Sequence, residues 1–252
     1  MVHFVGAGPG APDLITLRGA RLLREAHQVI YAGSLVNPAL LDGCRPGCRI
    51  LDSARMTLEE VLAAIYEAEA QGLDTVRLHT GDPSLYGAVS EQIEALDAGG
   101  IAWDLCPGVS SFSAAAAALG AEYTLPGKSQ SLILTRAAGR TPVPEGEELS
   151  RLAAHGSSMA IFLSAGLCDE VQSALLQGAY TEDSPAAIVY KASWPEERVY
   201  PCTVGTLAAC AREHQITRTA LLLAGDFLSG GGERSRLYDP DFTTGYRKGK
   251  EA

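Results

Sequence analysis

The sequence predicts an α/β protein built as two lobes, and three observations carry this. Through residue 118, short β-branched runs alternate with segments whose apolar residues recur at helical spacing, as a parallel sheet requires. Residues 119–130 break the alternation with Gly120, Pro126 and Gly127, and read as a connection. Strand-like and helix-like segments then resume at Ser131 and continue to Ala224. The expected division is a first lobe over 1–118, a connection over 119–130 and a second lobe over 131–252.

His3-Phe4-Val5 is a strand that enters the glycine-rich turn Gly6-Ala7-Gly8-Pro9-Gly10. Thr16 can cap a helix running to His27, with Leu17, Ala20, Leu23 and Ala26 on one face. Gln28–Tyr31 and Arg49–Asp52 are short strands. Thr57-Leu58-Glu59-Glu60 has the capping-box pattern, and its helix should bury Leu58, Val61, Leu62, Ile65 and Ala68 before stopping near Gly72. Thr75–His79 reads as a buried strand and Ala88–Ala98 as a helix. Ile101–Cys106 is the next strand, and Pro107-Gly108-Val109-Ser110-Ser111 opens the alanine-rich run 114–118. In the second lobe, strands are expected at 131–135, 159–163, 186–190 and 219–224, with an extended segment at 198–203. Helices are expected at 147–155, 168–176 and 206–213. Arg136–Gly146 is a long loop, and the polar, glycine-rich tail from Gly230 is expected to be partly mobile.

Composition narrows the function. With 46% hydrophobic and 20% charged residues the chain can bury a full core. A net charge of −10 argues against nucleic acid, whose phosphates need a basic surface. No apolar run has transmembrane length and no signal core follows the first residues, so the expected compartment is the cytoplasm. The six cysteines are dispersed; Cys44 and Cys48 lack the partners of a zinc site, and free thiols with no metal are expected. No Gly-x-Ser-x-Gly elbow, His-Glu-x-x-His motif or P-loop lysine is present.

The stretch around which the chain is organised is Thr80-Gly81-Asp82-Pro83-Ser84-Leu85-Tyr86-Gly87. It follows a strand and precedes a helix, the end of an open α/β sheet where ligands bind. The same residues also make an ordinary strand-to-helix turn, and Ser110 and Ser111 also make an ordinary serine cap. The first glycine turn departs from a dinucleotide fingerprint: Pro9 and Pro12 remove N–H donors, and the position of the third glycine holds Ala11. It suits a ligand without a diphosphate. His79 ends a buried strand and reads as a core imidazole.

Taken together, Val5-Gly6-Ala7-Gly8-Pro9-Gly10, Thr80–Gly87 and Pro107–Ser111 resemble the tetrapyrrole methylase family, and the resemblance covers nearly the whole chain. It narrows at Tyr31–Val36, Ser53–Glu60, Leu134–Arg136 with Gly139–Pro142, and Ala192-Ser193-Trp194-Pro195. These stretches are similar to the branch that methylates C11 of precorrin-4 or cobalt-precorrin-4 in cobalamin synthesis. The resemblance implies a two-domain class III methyltransferase fold, with S-adenosylmethionine (SAM) folded in a cleft between two αβα lobes and S-adenosylhomocysteine as product. It assigns donor contacts to Pro9, to Thr80, Gly81, Asp82 and Leu85, to Ser110 and Ser111, and to Leu163, Ala192, Thr219 and Ala220; Leu163 is the loosest match. It also implies a homodimer.

SAM carries an activated methyl, so aligning donor and acceptor and excluding water are the main tasks. Asp82 is the expected helper of proton loss or of SAM orientation. The substrate carries several carboxylates although the protein is acidic, so a local basic rim is expected at Lys128, Arg136, Arg140 and Lys191. The competing expectations are another acceptor in the same family (uroporphyrinogen III or precorrin-3B), a nicotinamide-dependent oxidoreductase, and a binding module without catalysis.

Overall fold

The computed structural model describes residues 1–249 of the chain. The expected mobile tail runs on into residues 250–252, which lie outside the described residues. The chain divides into two compact units. The first comprises Met1–Ala115 together with Lys191–Glu197; the second comprises Ala116–Tyr190 and the chain from Arg198 onward.

The first unit is a five-stranded parallel sheet. Its strands are β1 (Val2–Gly6), β2 (Gln28–Tyr31), β3 (Arg49–Asp52), β4 (Thr75–His79) and β5 (Trp103–Cys106), in the order β3-β2-β4-β1-β5. Helices α1 (Leu17–Glu25), α2 (Leu58–Glu69) and α3 (Ser90–Ala98) connect them, and α4 (Ser111–Leu119) follows β5. One face of the sheet buries Val5, Val29, Val76 and Leu78 against Leu22 and Leu23 of α1; the other buries Phe4 and Ile30 against Val61, Ile65 and Leu96. The central strands β1, β2 and β4 are buried on both faces, whereas the edge strands β3 and β5 are largely half-buried or exposed. A dinucleotide fold of the common doubly wound type keeps its first two strands adjacent. Here β4 separates β1 from β2, so the sheet lacks the topology that the oxidoreductase expectation relies on.

The local signals act as predicted at two caps. Thr16 Oγ1 accepts from the Gly19 N–H at 3.0 Å, and at the capping box the Thr57 N–H donates to Glu60 Oε2 at 2.7 Å while Thr57 Oγ1 accepts from the Glu60 N–H at 3.3 Å. Three expectations are corrected. Leu17 is 93% exposed, because α1 turns Gly19, Leu22 and Leu23 inward instead. In α2, Ala64 joins Val61, Ile65 and Ala68 in the core, while Leu58 and Leu62 are half-buried. Helix α3 begins at Ser90, not Ala88, because Tyr86 (φ 56°) and Ala88 (φ 49°) are left-handed and cannot enter a right-handed helix.

The second unit has a mixed sheet of β6 (Leu132–Arg136), β7 (Ser158–Phe162), β8 (Pro185–Tyr190), β9 (Arg198–Thr203) and β10 (Ala220–Ala224), in the order β6-β7-β10-β8-β9. Only β6 and β7 are parallel; the other pairs are antiparallel. Helices α5 (Leu149–Ala153), α6 (Cys168–Gln177) and α7 (Leu207–Glu213) pack Leu149, Val171, Leu175 and Leu207 onto Met159, Ile161, Ile188 and Leu222. The alternate residues Ala160, Ala187, Val189, Leu221 and Leu223 are also buried.

Candidate active site

In the first unit, loops leaving the carboxyl ends of β1, β4 and β5 meet through glycine backbone. Gly8 donates to the Gly81 carbonyl at 3.2 Å, and Gly81 donates back to Gly8 at 2.8 Å. A Cβ added at Gly108 would lie 2.1 Å from the Gly81 oxygen and 2.7 Å from Gly6 Cα, so only hydrogen fits where the three loops cross. Gly81 adopts φ 60°, which glycine accepts without strain.

Asp82 fastens this crossing. Its Oδ2 accepts from the Gly108 N–H at 2.8 Å, and its Oδ1 accepts from the Ser84 N–H at 2.8 Å and from the Ser84 hydroxyl. Partial burial pushes its pKa up, but the hydrogen bonds from Ser84 and Gly108 outweigh burial and hold it below the usual carboxylate range. Asp82 is therefore ionised, well satisfied and a weak base.

Thr80 Oγ1 donates to the Leu35 carbonyl at 3.3 Å, and the Leu85 N–H donates to the Asp82 carbonyl at 3.2 Å. Gly81 lies beside Ser110 and Ser111, because a Cβ on it would be 3.6 Å from Ser110 Cα and 3.7 Å from the Ser111 nitrogen. Neither serine hydroxyl is spent on a described residue, and Ser110 is nonetheless 7% exposed. The fold thus gathers Pro9, Thr80, Gly81, Asp82, Leu85, Ser110 and Ser111 at one end of one sheet. The unspent hydroxyls fit a ligand rich in hydroxyl, amine and carboxylate groups, as SAM is.

The segment Lys191–Glu197 straps the first loop, a role that sequence reasoning missed. Trp194 Nε1 donates to the Pro9 carbonyl at 3.0 Å, and the Ala11 N–H donates to Ser193 Oγ at 3.0 Å. The indole covers Gly10 so closely that a Cβ there would meet Trp194 Cδ1 at 2.1 Å. Asn37 Nδ2 holds the Gly10 carbonyl at 2.8 Å from another side. The Pro9 carbonyl thus accepts the indole N–H, and Pro9 is buried. Ala192 is buried between Lys191 (φ 47°) and Ser193 (φ 67°), and the Ser193 N–H donates to Glu197 Oε2 at 2.6 Å. The usable signal was Gly10, a glycine with no φ requirement next to a turn already supplied with glycine.

In the second unit, Leu163 leaves β7 and Thr219 leads into β10, which starts at Ala220. These strands are antiparallel with Leu222 opposite Ile161, so Leu163, Thr219 and Ala220 cluster at one strand end. Leu163 (φ 53°) and Thr219 (φ 56°) are left-handed, and Leu163 is 65% exposed. Arg136 stands at the same end, opposite Phe162. Its guanidinium donates to the carbonyls of Ala137, Thr141 and Pro142 and so braces the following loop. Arg140 is exposed. Lys128 is exposed at the other end of β6, next to Ser129, whose Oγ accepts from the Ser158 N–H at 3.1 Å. Lys191, in the first unit, pairs with Glu196 at 3.4 Å and lies 5.1 Å from the Trp194 ring centre.

Beside the organising loop of the first unit is a cavity of about 500 Å³, lined in part by Pro83, Ser84, Tyr86, Ala88, Glu91 and Leu105. Among the described residues the six cysteines are free thiols, no group of three or more His, Cys, Asp or Glu could hold a metal, and no helix is long and apolar enough to cross a membrane.

A parallel sheet with this strand order, three glycine loops crossing at its carboxyl end and a second mixed sheet define the class. The family model described as Tetrapyrrole (Corrin/Porphyrin) Methylases matches residues 1–208, and the chain belongs to that family. It is 50% identical over 248 residues to a precorrin-4 C(11)-methyltransferase of a Sinorhizobium species, covering 98% of each chain. Among solved structures it is similar to a cobalamin biosynthetic enzyme, a cobalt precorrin-4 methyltransferase, with TM-score 0.88 and 44% identity over 90% of this chain and 95% of the other. It is also similar to a uroporphyrin-III C-methyltransferase from Thermus thermophilus complexed with S-adenosylhomocysteine. That match has TM-score 0.76 and 26% identity, and covers 92% of this chain and 95% of the other.

Proposed function

We propose that this protein is a SAM-dependent methyltransferase that methylates C11 of precorrin-4, or of its cobalt form, in cobalamin synthesis. The observation that carries it is the 50% identity, over 98% of both chains, to a precorrin-4 C(11)-methyltransferase. When bound, SAM supplies an electrophilic methyl on a sulfonium, and the acceptor is an electron-rich ring carbon of the reduced macrocycle.

The chain's task is then alignment and exclusion of water. The hydroxyls of Ser110 and Ser111 bind the donor, with Pro9, Thr80, Gly81 and Leu85 packed around it. Leu163, Ala192, Thr219 and Ala220 complete the donor contacts. Asp82 orients these groups by fixing the second loop to the third through Gly108. Its lowered pKa makes it a poor proton acceptor at neutral pH, so its part is positioning. The cavity beside Pro83–Glu91 has the size of a small-molecule site and is the proposed resting place of part of the macrocycle. Arg140 and Lys191 supply cationic charge for substrate carboxylates. Arg136 shapes its loop while adding charge, and Lys128 contributes to the field at longer range. Any cobalt arrives as part of the substrate. The enzyme is read as a cytoplasmic homodimer, which light scattering of the purified protein would test.

Incubation with labelled SAM and precorrin-4, and in parallel with cobalt-precorrin-4, tests the function. A product one methyl heavier, with NMR placing that methyl at C11, is the expected result. A methyl at another ring position, or no transfer to either macrocycle, would overturn it.

A further inference from the structure

Arg77 sits in the middle of β4 and is 7% exposed. A guanidinium removed from water is costly unless an anion or a full set of acceptors compensates. Arg77 Nε donates to Gln92 Oε1 at 3.0 Å and Nη1 to the Ile30 carbonyl at 3.0 Å. Among the described residues Nη2 has no acceptor, and no carboxylate pairs with the group. Burial lowers its pKa to about 10, which leaves it cationic at neutral pH.

This charge faces a second, smaller cavity of about 160 Å³, lined in part by Ser53, Thr57, Val61, Gly87, Ala88 and Glu91. That is too small for a whole ligand, whose sites run to roughly 300–1,000 Å³, but it suits one acidic arm. Gly87, Ala88 and Glu91 also line the larger cavity, so the two adjoin. The wall at Ser53–Leu58 belongs to a stretch that distinguishes this chain within its family resemblance. The opposite wall is the left-handed turn at Tyr86–Ala88, fixed by Gln92 Nε2 donating to the Ala88 carbonyl at 2.8 Å. One glutamine therefore holds both the guanidinium and the mouth of the pocket. Glu91, on the shared wall, forms no ion pair with Arg77 and opposes any incoming anion.

We infer that Arg77 anchors a carboxylate-binding pocket that takes one acidic side arm of the tetrapyrrole while the ring occupies the adjoining cavity. The inference rests on the proposed substrate class. It also requires that a free carboxylate of the same chemistry bind there weakly.

The test compares wild type with Arg77→Met, Arg77→Lys and Glu91→Gln. Tetrapyrrole affinity is measured by fluorescence quenching, S-adenosylhomocysteine affinity by calorimetry, and the rise in melting temperature on adding propionate by scanning calorimetry. Losing a charged hydrogen bond should weaken tetrapyrrole binding about 10- to 100-fold in Arg77→Met and less in Arg77→Lys. S-adenosylhomocysteine affinity should stay unchanged, and Glu91→Gln should bind the tetrapyrrole more tightly. Propionate should raise the melting temperature of wild type and not of Arg77→Met. Unchanged tetrapyrrole affinity in Arg77→Met and Arg77→Lys would make Arg77 a purely structural guanidinium and overturn the inference. If both arginine variants fail to fold, Glu91→Gln decides: unchanged affinity overturns the inference, tighter binding supports it. If wild type binds no tetrapyrrole, the substrate proposal falls, and the propionate shift and its dependence on Arg77 still judge the pocket.

Discussion

Asp82→Asn separates positioning from proton transfer. The carboxylate gives one oxygen to the Gly108 N–H and the other to Ser84. An amide keeps one acceptor and turns an NH₂ toward the other donor, so one loop contact is lost. A hydrogen bond to a charged group contributes ~1.5–3 kcal/mol, and a half-exposed site takes the lower end. A loss of about 1.5 kcal/mol corresponds to roughly tenfold weaker S-adenosylhomocysteine binding, with a lower melting temperature. Methyl transfer at saturating SAM should fall much less. Calorimetry for the product-like ligand, scanning calorimetry for stability and single-turnover transfer give the three numbers. A collapse of the transfer rate with affinity and melting temperature unchanged would refute positioning and make Asp82 the proton carrier. The sign with pH follows from its lowered pKa: the ionised form stabilises the fold above about pH 4, and that stability is lost as pH falls through the folded pKa. Asp82→Asn should lack this acid-side loss.

Gly108→Ala should abolish donor binding, because its Cβ would collide with the backbone of Gly81 and Gly6, which no side-chain rotation relieves; calorimetry checks this. Trp194→Phe keeps the ring over Gly10 but leaves the Pro9 carbonyl without its donor. It should weaken donor affinity by a few-fold, and Trp194→Ala by clearly more, in the same titration. His79 is buried and its pKa is lowered to about 3, by burial first and by the charge of Arg77 second. Between pH 6.5 and 3 the unfolded chain therefore binds a proton that the native state refuses, and stability falls with pH by up to ~1.4 kcal/mol per pH unit. His79→Gln should flatten that limb in denaturant titrations at pH 7, 6 and 5.

The first sheet was readable because its central strands are built on short apolar cores such as Val29-Ile30 and Phe4-Val5, and because α1 and α2 carry start signals at Thr16 and Thr57. The sequence placed the second unit's strands but not their directions: Ala186–Tyr190 and Ala220–Ala224 are apolar on both faces, and such runs look alike in parallel and antiparallel pairs. Leu17 misled because it fits the apolar spacing of a stripe that the sheet does not reach. The loops of the candidate site were visible as glycine and proline punctuation. What joins them was not, because the Asp82–Gly108 bond and the Trp194 strap link residues far apart in the chain. Arg77 was hidden for a related reason, as a charged residue within a run otherwise read as buried strand.

That strap also bears on how the protein is made. Trp194 reaches Pro9 across 185 positions, and Ser193 reaches Ala11 across 182. During synthesis the amino-terminal sheet can emerge and pair while its first loop still lacks a fastening, at elongation rates of roughly 5–20 residues per second. A nascent chain arrested before residue 191 should therefore have its strands in place and its donor loop untied. Competence to grip the methyl donor would then wait until residues 191–197 have left the ribosome.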